Sequence, residues 1–315
     1  MAIKPGDATF ISKLDEEGQR KAKEELNELN DVDRQIAVQT LRQWVIDQDW
    51  LKTPTDFAFL LRFLRVRKFS QLGARETLEN YWKGRTNIPE WFRNVDPADE
   101  ILQEIFKTGW FKCPMKYDKK GRRLVLCKYS ALMFDLIKRC GVNKLYKALF
   151  LVYDWLLLDE RAQVYGLVLV IDYSDITFQL MMATANAEIA QKCVIFYQKA
   201  LPMRLKGMHM YNEPTFIDVF LALFNPFLRQ KIKDRINLHG KSLVKIYEVI
   251  GMDVLPDEYL PDEYKGHSAG SAKKIIDDML EDMMKPEVRE YIKDLSSNRY
   301  GVDIKKRKTD DAPAA

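Results

Sequence analysis

The chain has 315 residues, of which 47% are apolar and 30% are charged, so it is long enough and apolar enough to bury a sizeable core. Its 50 basic and 46 acidic residues leave a formal net charge of only +4, which argues against a polycation that coats nucleic acid. No run of about 18 apolar residues predicts a membrane span, and the first residues lack the pattern of a secretory signal.

The four cysteines are spaced too widely to form a C-x-x-C pair, and no clustered set of cysteines and histidines predicts a metal site. No N-x-S/T glycosylation acceptor occurs either. We therefore expect a cytoplasmic, monomeric protein without a metal or a catalytic cofactor.

The N-terminal part of the chain has helical patterning. Apolar residues recur with a period near 3.6 within residues 15–50, and further helices are predicted over 56–69 and 75–85. The helix over 56–69 follows Pro54 and a Thr-Asp pair that would cap it. We expect an all-helical bundle over residues 1–100.

After Gly109 the pattern changes to short apolar strands separated by helices. Strands are predicted at 122–130, 166–172, 206–212 and 235–240, with helices over 142–160 and about 178–200. This alternation predicts an α/β domain with a mainly parallel sheet over residues 101–285. Residues 286–315 would be an extension that ends in a disordered polar tail.

One sequence matches a catalytic motif. Residues 266–270 read Gly-His-Ser-Ala-Gly, the G-x-S-x-G pattern in which Ser268 would be a hydrolase nucleophile. No buried strand precedes it, and no histidine follows it as the hydrolase order requires. A capping loop is the favoured interpretation, and a serine hydrolase is a weak alternative. For Asp172, at the end of a predicted strand, a turn-capping role is likewise favoured over a functional one.

Residues 215–228 are apolar on nearly every face, although they are too few to span a bilayer and are interrupted by Asn225-Pro226. Two interpretations remain open: the segment lies at the centre of the core, or it covers an apolar cavity and meets a membrane on its other side. Basic residues flank it, as expected near an anionic membrane surface.

The motifs DFAFLLRFLRVRKF, GLVLVIDYSD and ALPMRLKGMHMYNEPTFIDVFLALFNPFLRQKIKDRINLHG, followed by LPDEYKG, resemble the CRAL-TRIO family of lipid-binding proteins over about residues 30–285. The resemblance implies an N-terminal helical bundle and an α/β domain whose sheet forms the floor of a hydrophobic pocket. It also implies a mobile helical gate, which would be the apolar segment 215–228.

By position, the resemblance implies two sets of site residues. The pocket and gate would comprise Tyr146, Leu149, Tyr153, Leu167, Ile171, Cys193, Phe196, Tyr197, Leu201, Met208, Ile217, Phe220, Leu221, Phe224 and Phe227. The positions that hold a phosphoinositide headgroup in some relatives are Arg67, Arg204, Lys206, Lys231 and Arg235.

The expected function is therefore non-catalytic binding and intracellular transfer of a small hydrophobic lipid such as a retinoid, tocopherol or carotenoid. Peripheral docking on an anionic membrane through the basic residues would accompany transfer. An alternative is a sensor of membrane lipids that recruits a protein partner.

Overall fold

The structure is a computed structural model that describes residues 10–307. Its first part is helical apart from one two-residue strand, which confirms the predicted N-terminal helical region. The elements are α1 (Glu16–Leu26), α2 (Asp31–Ile46), β1 (Leu51–Lys52), α3 (Phe57–Val66), α4 (Gln71–Asn87), α5 (Pro89–Phe92) and α6 (Glu100–Lys107).

Short polar side chains begin these helices by binding backbone N–H groups that have no partner within the helix. Asp56 is the residue of the Thr-Asp pair that caps α3, and its carboxylate accepts a hydrogen bond from Phe59 N at 2.8 Å. Asn30 and Ser70 cap α2 and α4 in the same way. The caps explain why the helices start close to the boundaries expected from the sequence.

The second part alternates strands and helices. The elements up to the third of its strands are β2 (Phe111–Lys112), β3 (Arg123–Lys128), α7 (Ala131–Cys140), α8 (Val142–Leu156), α9 (Glu160–Tyr165), β4 (Leu167–Asp172), α10 (Phe178–Thr184), α11 (Ala187–Ile195) and a π-helical turn (Phe196–Ala200). They are followed by β5 (Leu205–Tyr211), α12 (Ile217–Phe224), a 3-10 turn (Asn225–Phe227), α13 (Gln230–Lys233), β6 (Ile236–Leu238), α14 (Val244–Ile250), a second 3-10 turn (Asp257–Tyr259), α15 (Ala272–Met284), α16 (Pro286–Leu295) and β7 (Gly301–Val302).

The central sheet has the strand order β2-β3-β4-β5-β6. Strands β3 to β6 are parallel, and β2 joins the edge as an antiparallel strand. The mainly parallel sheet predicted from the sequence is confirmed. Only β2 was not predicted, because two residues are too few to give a pattern.

The two faces of the sheet pack against different surroundings because alternate side chains of a strand point to opposite sides. On β3, Leu124 and Leu126 face a core cluster that includes residues of α14. Val125 and Cys127 face the larger core, which contains α8. The second face is the one on which a cavity lies.

The helix predicted over about 178–200 is interrupted. It divides into α10, α11 and the π-helical turn. The backbone is extended at Ala185, where α10 ends, and Asn186 caps α11 by accepting a hydrogen bond from Ile189 N at 2.9 Å. In the π-helical turn, Leu201 N donates to Phe196 O at 2.9 Å, five residues back. Such a turn inserts one extra residue and changes which side chains face each neighbour.

The helical region is fixed against the sheet-bearing part at α4. A Cβ atom on Gly84 would stand only 2.5 Å from the ring of Phe196, so glycine is required for this close approach. Next to it, Arg85 forms a buried ion pair with Asp154 of α8 at 2.9 Å.

The C-terminal extension returns to the N-terminal helices, where β7 pairs with β1 in an antiparallel manner. Arg307 then forms an ion pair with Glu79 at 2.8 Å. The prediction that the polar tail is disordered is therefore wrong for Arg307. Positions 308–315 lie outside the described residues.

Candidate functional site: an apolar cavity beside a basic cleft

An apolar cavity lies between the sheet and α8. Its volume is about 190 Å³, compared with the roughly 10–15 Å³ that a single water requires. The walls come from almost every element of this face: Trp110, Phe111, Cys127, Tyr129, Leu145, Tyr146, Leu149, Tyr153, Leu169, Ile171, Tyr173, Thr184, Cys193, Val194, Tyr197, Gln198, Leu205, Met208, Met210, Phe220, Leu221, Phe224, Leu228, Ile232 and Ile236.

Several polar groups of the cavity wall are hydrogen-bonded within the protein. The hydroxyl groups of Tyr153 and Tyr197 are 2.5 Å apart, and Tyr146 donates to the backbone carbonyl of Thr184 at 3.0 Å. None of the described residues that line the cavity is an aspartate, glutamate, lysine or arginine. The cavity therefore presents hydroxyl dipoles and no formal charge.

The two thiols of the cavity are also uncharged. Burial raises the pKa of Cys193 to about 12 and raises that of Cys127 further still. All four cysteines are free thiols. A protonated thiol in an apolar wall behaves as a small hydrophobic side chain rather than as a nucleophile.

Ten of the residues implied by the family resemblance line this cavity. They are Tyr146, Leu149, Tyr153, Ile171, Cys193, Tyr197, Met208, Phe220, Leu221 and Phe224.

Five implied residues do not line it. Phe196 points to Gly84 and packs on Phe92 and Phe150, at the contact with the N-terminal helices. Leu167 is fully buried at the first position of β4. The others, Leu201, Ile217 and Phe227, lie respectively after the π-helical turn, at the first position of α12 and in the 3-10 turn.

The apolar segment predicted over 215–228 covers the cavity with one side and is accessible on the other. Phe220 is buried and Leu221, Phe224 and Leu228 line the cavity, whereas Val219 is 51% exposed. The first interpretation, a helix at the centre of the core, is therefore wrong. The outer side continues to α10, where the half-exposed ring of Phe178 contacts Phe216 at a centroid distance of 5.6 Å.

One glutamine holds the end of this cover. Gln198, in the π-helical turn, donates from Nε2 to Phe227 O at 2.8 Å. Its Oε1 accepts a hydrogen bond from Arg229 N at 2.7 Å. The side chain thus bonds both backbone groups that flank Leu228, a residue of the cavity wall.

A second recess, which we call the basic cleft, adjoins the cavity and has a volume of about 410 Å³. All five basic residues implied by the resemblance line it, although they come from three separate segments. They are Arg67, Arg204, Lys206, Lys231 and Arg235. Lys68, Lys199 and Arg229 line it as well, and none of its described lining residues is acidic.

Like charges affect one another in the cleft. Partial burial, followed by the neighbouring Arg204 guanidinium, lowers the pKa of Lys206 and that of Arg235. Arg67 donates from Nε to the Thr77 hydroxyl at 2.5 Å. A cluster of cations that destabilise each other is stabilised by an anion, and arginine suits phosphate because its two parallel N–H groups match two oxygens.

The G-x-S-x-G motif does not form a catalytic site. Ser268 Oγ donates to Asp257 Oδ1 at 2.5 Å and accepts from Gly270 N at 3.0 Å, in a surface loop. His209 and His239, the histidines before this loop, are hydrogen-bonded to each other at 2.8 Å. The favoured interpretation as a loop agrees with this geometry.

Asp172 is likewise a structural residue. Its Oδ1 accepts from Ser174 N at 2.9 Å, which is a turn of the kind expected for aspartate, and Oδ2 accepts from the Tyr259 hydroxyl at 2.8 Å. Within residues 10–307, no group of side chains could hold a metal ion and no helix has the length and hydropathy of a membrane span.

Several wall residues were not foreseen. Trp110 and Phe111 come from the short edge strand and the residue before it, which gave no pattern. Leu169 could have been found, because it lies two residues from Ile171 and a strand has a period of two.

Comparison with known proteins identifies the architecture. A family model described as CRAL/TRIO domain matches residues 107–260, and one described as Pinta-like, UBA domain matches residues 30–102. Alpha-tocopherol transfer protein-like of Mus musculus is 31% identical over 258 residues, which cover 81% of this chain and 73% of that protein.

Clavesin-1 of Xenopus laevis is 31% identical over 249 residues, 78% of this chain and 73% of that protein. The crystal structure of Sfh5 shares the fold, with a TM-score of 0.50 at 13% identity over 84% of this chain and 92% of that one. A largely apolar cavity with a few polar groups is the kind of site that binds a small hydrophobic molecule. The chain belongs to the CRAL/TRIO family of lipid-binding and lipid-transfer proteins.

Proposed function

We propose that the protein binds one small neutral lipid in the apolar cavity and carries it between membranes in the cytoplasm without changing it chemically. The observation that supports this most directly is the absence of charged side chains among the described residues of the cavity wall. Burial of apolar surface contributes about 25 cal/mol per Å². An unpaired carboxylate in such a wall would be costly, which favours an uncharged ligand.

The Tyr153–Tyr197 pair supplies the polar contact for such a ligand. Two hydroxyl groups that share one hydrogen bond keep one O–H donor and further lone pairs. A lipid with a single hydroxyl or carbonyl group, such as a retinoid, tocopherol or carotenoid, would bind there with its polar end.

Membrane docking would use the two surfaces next to the cavity. Val219 and Phe178 offer exposed apolar side chains, and the basic cleft offers cations for an anionic lipid headgroup. A phosphoinositide fits this combination, because cations that line the cleft, such as Arg67 and Lys231, suit its phosphate groups. Docking at the cleft would bring the cover of the cavity to the bilayer, where lipid exchange takes place.

Transfer of a fluorescent neutral lipid between two populations of vesicles tests the function. The protein should accelerate transfer, more so when the acceptor contains phosphoinositide, and should leave the lipid chemically intact. Phe220→Asp, which places a charge in the cover, should reduce transfer. Binding of lipid without any acceleration of transfer would contradict the proposal and would favour a membrane-lipid sensor instead.

A further inference from the structure

A carboxylate from α1 lies against the basic cleft, in a part of the chain that precedes both family matches. Glu25 Oε2 accepts from Arg204 Nη2 at 2.9 Å and is 3.4 Å from Lys206 Nζ. The matches begin at residue 30, so neither includes α1. Two of the cleft's cations therefore already have an anionic partner within the chain.

The ion pairs of Glu25 are maintained by their surroundings. Partial burial opposes ionisation, but the hydrogen bonds from Lys21 and Arg204 prevail and lower the pKa of Glu25 to about 2. The carboxylate is thus charged at any physiological pH. Its side chain is 36% exposed, so solvent and ligands reach it.

The helix that carries Glu25 packs on the protein through a small apolar contact. Leu14, Ala22 and Leu26 form a cluster with Val164 and Tyr165 that is separate from the main core. Arg204 is also bound to Val164 O at 2.7 Å, so the guanidinium stays in place when Glu25 is removed.

We propose that Glu25 determines the headgroup selectivity of the basic cleft by withholding Arg204 and Lys206 from the ligand. This inference rests on the proposed phosphoinositide docking. With Glu25 present, one phosphate group is neutralised by cations that are not paired with Glu25, such as Lys231. A second phosphate that extends to Arg204 has to displace Glu25 and is repelled by it.

The consequence is a cleft that discriminates little between inositol headgroups with one and with two phosphomonoester groups. Loss of the carboxylate frees two cations and removes a negative charge, and both changes favour the more highly charged headgroup. A positive cluster alone would instead strongly prefer the higher charge.

The variant Glu25→Gln tests this, because it keeps the shape of the side chain and removes its charge. Glu24→Gln is the matched control: Glu24 is the adjacent residue of α1, is exposed, and has no side-chain contact among those found for residues 10–307. Binding of the full chain would be measured on vesicles that contain phosphatidylinositol 4-phosphate, phosphatidylinositol 4,5-bisphosphate or phosphatidylserine at equal total charge. Circular dichroism would verify that both variants are folded.

We expect Glu25→Gln to strengthen binding to bisphosphate vesicles by about fivefold or more, the factor that one additional basic side chain contributes near an anionic surface. Binding to monophosphate vesicles should change less than about twofold, and Glu24→Gln should match the unaltered protein on all vesicles.

Equal strengthening on all three vesicle types would overturn the inference, since Glu25 would then act only on the overall charge. Weaker binding would also overturn it and would make Glu25 a residue that positions the two cations. If neither protein prefers phosphoinositide to phosphatidylserine, the docking proposal fails together with the inference. If the unaltered protein and Glu25→Gln prefer phosphoinositide to phosphatidylserine to the same extent, and treat the two phosphoinositides alike, only the inference about Glu25 is refuted.

Discussion

The cavity and the basic cleft are neighbours with opposite chemistry. They share four wall residues: Tyr197, Gln198, Leu205 and Ile232. Beyond these, the cavity presents apolar side chains without charge, whereas the cleft presents eight basic ones. On the proposed function, the π-helical turn and β5 separate a compartment for the apolar body of a lipid from a compartment for an anionic membrane headgroup.

Filling the cavity should separate the functions of the two regions most completely. Leu149→Trp adds bulk on α8, and we expect loss of lipid uptake with headgroup binding retained. Overpacking costs about 1–3 kcal/mol, so the fold should persist. Uptake would be followed by fluorescence of a bound neutral lipid, with Leu132→Trp, on the exposed side of α7, as the control. Full uptake by the folded Leu149→Trp variant would refute the cavity as the binding site.

The opposite change removes charge from the cleft. Arg67→Ala combined with Lys231→Ala should weaken binding to phosphoinositide vesicles by about tenfold or more, because each cation contributes about 1 kcal/mol near an anionic surface. Lipid uptake in solution should not change. Exposed Lys233 and Lys241, which do not line the cleft, give the control double substitution to alanine. A loss equal to that of the control would contradict a defined headgroup site.

Acid should destabilise the fold through β5, the strand that lines both the cavity and the cleft. On β5, Met208 faces the cavity, while His209 is buried on the other side and bonded to His239. Burial, then His239 and Arg122, lowers the pKa of His209 from 6.5 to about 4. As the pH falls, the unfolded chain therefore binds a proton at His209 before the folded chain does. The contribution of neutral His209 to stability is complete above pH 6.5 and is lost as the pH falls towards 4.

The loss should reach up to about 2 kcal/mol in the free energy of unfolding, measured by urea denaturation at pH 7 and pH 4.5. His209→Asn should show a smaller difference between the two pH values. An unchanged difference would mean that other groups control the acid response.

The smallest effect concerns the residue at the boundary. Gln198→Ala removes two hydrogen bonds to the cover, each worth about 1 kcal/mol, and should accelerate lipid exchange several-fold with little change in affinity. Gln230→Ala, which removes a surface hydrogen bond to Asp234, is the control. Stopped-flow lipid exchange at the same rate in both variants would show that Gln198 does not hold the cover.

The family resemblance indicated residues of the cavity wall where the helix that carries them is regular. Tyr146, Leu149 and Tyr153 share one face of α8 at helical spacing, and all three line the cavity. Phe196 was misplaced because the π-helical turn changes the facing of successive residues, so Tyr197 points to the cavity and Phe196 to Gly84. No pattern in the sequence predicts that turn.

The cleft shows a different limit. Position in the family motifs indicated Arg67 and Lys231, but Lys199 and Arg229 join them only through the fold. Glu25 could not be found from the sequence either, since its contact with Arg204 spans 179 residues. Charge patterns show which side chains are ionic and not which of them meet.

The most direct test of the proposed function is whether a lipid is bound to the protein, and which lipid it is. Purified protein would be extracted with organic solvent, and the released molecules identified and quantified by mass spectrometry, with the Leu149→Trp variant in parallel. We expect about one neutral, oxygen-containing lipid per chain, which is absent from the variant. Recovery of a fatty acid as the main ligand, or of equal amounts of lipid from both proteins, would contradict the uncharged cavity as the place where the lipid is held.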